Sequence, residues 1–390
     1  MRLFIHNPHL YYWYKTTKPG IFKNSKDGKY SYLIDYLLDV NHVLYIYMDN
    51  YQTPLHLLSF FVFLRKFASL YIWLIFNSIN IFKVRIFTDY KKLNADDILF
   101  TFLFGNFTNE SGHIPSNRLA ANKQLSLCKA KKVVHCTHYM YFSSYASANL
   151  ALFKPDILLA ENNLIKNSAY FNHHFNWYDS LFYVLPFVPN KKFNFLNCFS
   201  NRINKCLAIG TLTEPNSDPD FIFYYGTDQI HPMRKEIYES RSQLTRLIDC
   251  YISPIVEKCI YSGELLFNQP SYHKLNLCSL FNGYRMFLVP EEINCLPGIS
   301  FVEGMVCGSA FIGLQDPMYN QLGLVNGVNY ISYDGTLKDL KRVISYYQCS
   351  PLELNAIALN GQKFASEAFS SNVVVSKLLK FLQESTLSNI

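Results

Sequence analysis

The chain has 390 residues, 49% hydrophobic and 17% charged, with 29 Tyr, 32 Phe and 3 Trp and a formal net charge of +7. The balance is globular, and the length exceeds the roughly 250–300 residues at which single cores stop growing, so two domains are expected. The spread-out positive excess favours anionic partners such as nucleotides, lipid phosphates or a membrane surface; no nucleic-acid recognition motif appears, so no nucleic acid partner is expected.

The opening "MRLFIHNPHLYYWY" lacks the uninterrupted apolar run and small-residue cleavage site of a signal peptide. It reads as a strand, Leu3 to Ile5, leading into a polar loop with Gly20 and Gly28. "YSYLIDYLLD" and "NRLAANKQLSLCKA" have helical spacing of apolar residues. The β-branched and aromatic runs "HVLYIYM", "VRIFT", "DILFTFLF", "KVVHCTHYM", "DILLAE" and "LFYVLPF" read as strands. Strands alternating with helices predict a parallel sheet covered on both faces.

Residues 54–82, "PLHLLSFFVFLRKFASLYIWLIFNSINIF", are apolar, but Arg65 and Lys66 interrupt the roughly 20 apolar residues that a spanning helix needs. Two readings stay open. The segment forms core helices, or it lies in a membrane interface with Arg65 and Lys66 on anionic lipid phosphates and Trp73 toward the acyl chains.

The boundary falls at "LPFVPNKKF", rich in proline and basic residues, giving an N-terminal domain over 1–188. The alternation then restarts. "KCLAIGTL" reads as strand and turn, "RKEIYESRSQLTRLIDC" as helix, "RMFLVP" as strand, "GISFVEGMVCG" as helix, "SAFIGL" as strand and "KDLKRVISYYQ" as helix. This second domain covers 189–365, and a C-terminal helical segment, 366–390, is expected to pack back on the first domain. In paired α/β domains of this kind the ligand is expected in the cleft between them, outside the carboxyl ends of the strands.

The 10 cysteines are scattered, with no CxxC pair and no Cys/His cluster at metal-ligand spacing, and read as reduced core residues of a cytosolic protein. "DPD" at Asp218–Asp220 reads as a loop. The stretch "PGISFVEGMVCGSAFIG" carries one carboxylate, Glu303. Two explanations are compatible. "SFVE" fits a capping box in which Ser300 caps the helix and Glu303 reaches back. A loop ending in glycine before a helix also offers backbone N–H groups to a phosphate.

"EGMVCGSAFIG", "LVNGVNYISYDG" and "LKDLKRVI", in that order and spacing, resemble the donor domain of group-1 glycosyltransferases (family 4 and relatives, GT-B fold). The stretch from "DILLAENN" to "VPNKKF" resembles that family's domain junction. The resemblance implies α/β GT-B architecture, with two doubly wound Rossmann-like domains facing across a cleft. It implies a glycosyltransferase of the hexosyltransferase type, retaining, that moves a sugar from a nucleotide-sugar donor to a glycan or lipid-linked acceptor. The setting implied is bacterial surface polysaccharide biosynthesis, in the cytoplasm or peripheral on the inner membrane face.

On the same resemblance, Glu303 accepts the ribose hydroxyls, and amides of Gly298, Ile299, Ser300 and Phe301 hold the diphosphate or sugar. Gly210 and Thr211 stand at the first phosphate loop, with Arg234 and Lys235 as its displaced basic residues, and His138, read as ending the strand of "VVHCTHYMYF", faces sugar and acceptor. No metal and no cofactor are expected. The family's first motif glutamate falls on Cys295, with Glu291 and Glu292 just upstream. His135 alternates into the sheet as a core residue, and His113, Glu110 and Arg118 are acceptor-side candidates. The missing first glutamate and the missing Gly-Arg pair leave an alternative, a catalytically weak scaffold subunit. A phosphorylase or epimerase of the same fold is a third.

Overall fold

The computed structural model describes residues 1–6, 29–40, 42–48, 64, 67–68, 70–75, 79–103, 107, 125–141, 143–213, 215–254, 256–258, 266–268, 275–293 and 296–387. The chain divides into two compact units. The first comprises Met1–Ala160, Phe171–Leu185 and Val375–Ile390, and the second Glu161–Tyr170 and Pro186–Val374.

The first unit is built on strands β1 (Leu3–His6), β2 (Leu44–Tyr47), β3 (Val84–Phe87), β4 (Ile98–Phe102), β5 (Lys131–His135), β6 (Ile157–Ala160) and β7 (Leu181–Val184). They pair in the order β3-β2-β1-β4-β5-β6-β7, parallel throughout. A parallel sheet is covered on both faces, so its strands are continuous apolar runs, and every residue of β1, β4 and β6 is buried. Within this unit the last helix, Ser371–Leu387, lays Phe381 on Tyr183 (ring centroids 4.6 Å apart). Ser376 meets the Tyr36 hydroxyl at 3.0 Å, and the Ser385 carbonyl accepts from Lys131.

Within residues 54–82 the described part is partly core: Leu70, Trp73 and Leu74 are buried. The expectation that Trp73 faces acyl chains is therefore corrected, because its ring is packed inside the unit. Arg65 and Lys66 lie outside the described residues. Among the described residues no helix is long and apolar enough to cross a membrane.

The second unit contains β8 (Ile203–Leu212), β9 (Ile248–Pro254), β12 (Tyr284–Leu288), β13 (Ala310–Leu314) and β14 (Ile331–Tyr333), with a separate antiparallel pair, β10 (Val256–Lys258) and β11 (Leu266–Asn268). The larger sheet has the order β14-β13-β12-β8-β9, all parallel. The helix predicted through "RKEIYESRSQLTRLIDC" stops at Glu239, and its last residues open β9. The spacing of Leu244 and Ile248 suits a helix, but pairing of Ile248–Pro254 with Cys206–Leu212 overrides that local preference. The sheet's apolar core runs from Cys206 and Ala208 through Met286 and Leu288 to Ile312 and Ile331. Against it pack Ile237, and Leu340 and Ile344 of the helix Leu337–Cys349. Thr336 caps that helix by accepting from the Asp339 amide at 3.1 Å.

Candidate functional site

The order of the five-stranded sheet fixes where a ligand crevice forms. The chain leaves β8 toward β9 on one side and returns to β12 on the other, so the direction of winding reverses between β8 and β12. A crevice opens outside the carboxyl ends of strands at such a switch point. Here those ends carry Gly210 and Thr211 on β8 and Pro290 just after β12.

Arg234 bridges the two ends. It sits in the first turn of the helix Pro232–Glu239 and is 6% exposed. Its Nε–H donates to the Pro290 carbonyl at 2.7 Å and its Nη1–H to the Thr211 carbonyl at 3.0 Å. A Cβ built on Gly210 would lie 2.8 Å from Arg234 Nε, and one on Gly298 would lie 3.9 Å from Nη2. Four of the residues singled out in the sequence, Gly210, Thr211, Arg234 and Gly298, therefore share one locus. Lys235, the next residue of the helix, is half-buried and donates its amide to the His231 carbonyl at 3.1 Å.

The segment after Pro290 leads to the helix Ser300–Val306. Its first closing bond runs from the Phe301 amide to the Gly298 carbonyl at 3.0 Å, so that amide is engaged within the turn. The amides of Gly298, Ile299 and Ser300 precede it, where helix N–H groups have no intrahelical acceptor. The Phe301 side chain is core, packed on Phe311, Tyr319 and Phe369. Ile299, in helical conformation, stands at the N-cap without a side-chain cap bond. The capping-box reading is corrected accordingly. Ser300 lies inside the first turn, where its hydroxyl faces along the helix and donates to Glu303 Oε2 at 3.0 Å. Glu303 is 8% exposed, and Gly304 beside it lets the helix sit on Phe287 of β12, whose ring atoms come within 2.4 Å of a built Cβ.

Three residues that spacing did not single out for these contacts complete the locus. His231, buried at the N-cap of the helix Pro232–Glu239, has Nδ1 3.2 Å from Thr213 Oγ1 and Nε2 3.7 Å from Glu292 Oε1. Burial and the Arg234 charge push its pKa down to about 4. Glu291 is 3% exposed, and its Oε1 accepts from the Tyr319 hydroxyl at 2.5 Å and the Leu314 amide at 3.1 Å. Burial pushes its pKa up to about 7 against the opposing pull of Tyr319 and Arg234. Two glutamates immediately after the proline that follows β12 were the available sequence signal; their partners are remote in the chain.

Asp218 begins a helix rather than lying in a loop. Its Oδ1 accepts from the Asp220 amide at 3.0 Å as N-cap of Pro219–Tyr225, and its Oδ2 accepts from the Tyr170 hydroxyl at 2.7 Å. Asp–Pro–Asp places a cap, a proline at the first turn and an acidic residue at the positive helix end.

In the first unit β5 ends at His135, where the Cys136 amide closes onto the Leu159 carbonyl. His138 thus stands in the following turn rather than at the strand end, with φ +50, a left-handed conformation uncommon outside glycine. Its ring lies 6.0 Å from that of Tyr141. His135 is fully buried against Tyr30 and Phe102, the core position its alternation predicts. Cys295, Glu110, His113, Arg118, Gly20 and Gly28 lie outside the described residues.

No protein-family model and no curated protein matches the chain. Solved structures do. HepE of Anabaena, solved in complex with UDP, aligns over 98% of this chain and 100% of its own, with TM-score 0.51 and 14% identity. Sucrose-phosphate synthase from Thermosynechococcus elongatus aligns over 99% of both chains, with TM-score 0.52 and 11% identity.

The chain has the GT-B fold.

At these identities the likeness is one of fold. Within a GT-B fold, the five-stranded unit is the one whose switch point carries Gly210, Arg234 and Gly298.

Proposed function

We propose that this GT-B chain is a nucleotide-sugar-dependent glycosyltransferase. The observation that carries the reading is the Arg234 guanidinium, buried between the carboxyl ends of β8 and β12 and abutting Gly210 and Gly298. A fixed, planar cation beside two side-chain-free backbone positions suits a diphosphate, which needs charge and close backbone approach together. HepE, similar in fold, was solved with UDP and with UDP and glucose.

In this reading the donor's diphosphate lies against Arg234, Lys235, Gly210, Thr211 and the amides from Gly298 to Ser300. Glu303 accepts hydrogen bonds from the ribose hydroxyls. Charge that develops on the departing diphosphate is met by these preorganised donors, so the step requires no metal and no cofactor. Hexosyl transfer with retention, to a glycan or lipid-linked acceptor of bacterial surface polysaccharide, is the outcome that the sequence resemblance supports. His138 is assigned to the acceptor side, and its left-handed backbone supports this, since strained residues cluster at working sites.

Calorimetry with ADP, GDP and UDP tests the donor site. One of the three binds the wild-type protein, and Glu303→Ala weakens it roughly 10- to 100-fold, the worth of a charged acceptor to ligand hydroxyls. Binding of none sinks the transferase reading and leaves the scaffold alternative. Release of nucleoside diphosphate from a donor panel, with and without a glycan acceptor, then separates transferase from epimerase. Attachment to a membrane face is tested with anionic liposomes at low salt, where Arg65→Glu with Lys66→Glu abolishes sedimentation if those residues meet lipid phosphates.

A further inference from the structure

We infer that Glu292 selects the donor's sugar by accepting hydrogen bonds from its hydroxyls, and that His231 is the positioning residue that holds Glu292. The inference rests on the donor-site reading above and separates two neighbouring glutamates that the sequence left undistinguished.

The turn after β12 is pinned along the start of the helix Pro232–Glu239. The Pro290 carbonyl accepts from Arg234 Nε–H at 2.7 Å, and the Ile293 amide donates to the Ile230 carbonyl at 2.9 Å. Between these two ties Glu292 Oε1 faces His231 Nε2 at 3.7 Å. The Glu292 amide closes its own turn onto the Leu296 carbonyl at 3.3 Å. The two glutamates therefore enter different surroundings. Glu291 is 3% exposed, and its Oε1 accepts from the Tyr319 hydroxyl and the Leu314 amide, so it ties the end of β12 to the end of β13. The Glu292 side chain is 20% exposed and stands at the corner that Arg234 holds. Of the two it is the one that a ligand can reach.

His231 sets the direction of that carboxylate. Its ring is 4% exposed, and burial together with the Arg234 charge keeps it neutral at pH 7. A carboxylate only accepts, so a neutral ring turned to Glu292 carries its proton on Nε2, and Nδ1 accepts from the Thr213 hydroxyl 3.2 Å away. A charged acceptor thus stands beside a site for a diphosphate. Carboxylate and diphosphate repel each other, so Glu292 does not serve the phosphates. It serves the neutral, hydroxyl-rich part of the donor. The two oxygens of a carboxylate can accept from two hydroxyls at once, which fits a hexose with free adjacent hydroxyls.

The test is calorimetry with whichever of ADP, GDP and UDP binds most tightly, and with its glucose, galactose, mannose and N-acetylglucosamine esters. The quantity read is the ratio of the best ester's affinity to that of the diphosphate alone. Glu292→Gln weakens the ester and removes a like charge from the diphosphate, so the ratio falls roughly 10-fold, the worth of a hydrogen bond to a charged acceptor. His231→Asn lowers the ratio in the same direction and adds nothing in the Glu292→Gln background. A purely structural role for either residue weakens ester and diphosphate together and leaves the ratio in place. An unchanged ratio in Glu292→Gln overturns the inference, and this variant, at a partly exposed position, decides it alone where His231→Asn does not fold. A ratio that His231→Asn leaves unchanged, or lowers equally in both backgrounds, overturns the positioning role. Failure of all three nucleotides to bind overturns the donor-site reading, and the assignment of Glu292 with it.

Discussion

Gly210 and Arg234 are in contact along the full width of the arginine side chain: a Cβ on Gly210 would lie 2.8 Å from Nε, 2.9 Å from Cδ and 3.2 Å from Cζ. Position 210 has no room for a side chain while the guanidinium holds the Thr211 and Pro290 carbonyls. Gly210→Ala must therefore displace Arg234, at an overpacking cost of about 1–3 kcal/mol. Urea unfolding reads that loss, and calorimetry reads a parallel loss of nucleoside diphosphate affinity. Unchanged stability in Gly210→Ala would show that the arginine is not held there.

Ser300 and Glu303 form a second local unit. Because Ser300 donates to a buried carboxylate, Ser300→Ala leaves Glu303 Oε2 without that donor, at a cost of about 1–3 kcal/mol. A double-mutant cycle with Glu303→Ala, which has no acceptor for the Ser300 hydroxyl, gives a coupling of roughly 1 kcal/mol. A capping box predicts a different result, in which Ser300→Ala costs the same whether position 303 is Glu or a residue unable to accept from it.

His231 and Glu291 give opposite pH dependences of stability. His231 has its pKa lowered from 6.5 to about 4, so between those values the unfolded chain binds more protons. Its contribution is present above pH 6.5 and is lost as pH falls through 4. Glu291 is raised from 4.5 to about 7, so over that range the folded chain binds more protons. Its contribution is present below pH 4.5 and is lost as pH rises through 7. Each is on the order of 3 kcal/mol at full extent, and the two slopes oppose one another between pH 4.5 and 6.5. Urea midpoints for the wild-type protein stay nearly level there, Glu291→Gln shows stability rising with pH, and His231→Asn shows it falling. Level profiles in both variants would refute the assignment.

Asp218 is a helix cap bound to Tyr170, so Asp218→Ala costs about 1–2 kcal/mol in urea unfolding. Nucleotide affinity measured with and without a chelator stays as in the wild-type protein. A chelator-sensitive affinity lost in Asp218→Ala would instead give the "DPD" stretch a metal-binding role.

Much of the fold is legible in the sequence because its signals are local. A strand of a parallel sheet is apolar on both faces, so "DILFTF" and "DILLA" declare themselves from composition alone. "SFVEGMVCG" likewise reveals a helix that ends at a glycine, and Gly308 has the left-handed φ of +73 that such an end needs. Periodicity failed where one pattern serves two structures. Leu244 and Ile248 are spaced for a helix, yet the second opens β9, because β8 requires a hydrogen-bonded neighbour on that side. His138 was placed at a strand end that comes three residues earlier, since the point at which a ladder stops is set by the neighbouring strand.

By itself, the sequence determined the alternation of strands and helices, for which residue type and short-range spacing suffice, and its family resemblance supplied Gly210, Arg234, Gly298 and Glu303 as candidate positions. Only the tertiary structure decided that Arg234 spans β8 and β12, that Ser300 serves Glu303 instead of the helix end, and that Glu291 is enclosed by Tyr319 and Leu314. Most of those partners are 23 to 56 residues apart. The Ser300–Glu303 pair is local, but its direction depends on which residue begins the helix. Burial, which sets the charge state of a carboxyl, is a property of everything packed around it, and no short window of sequence contains that.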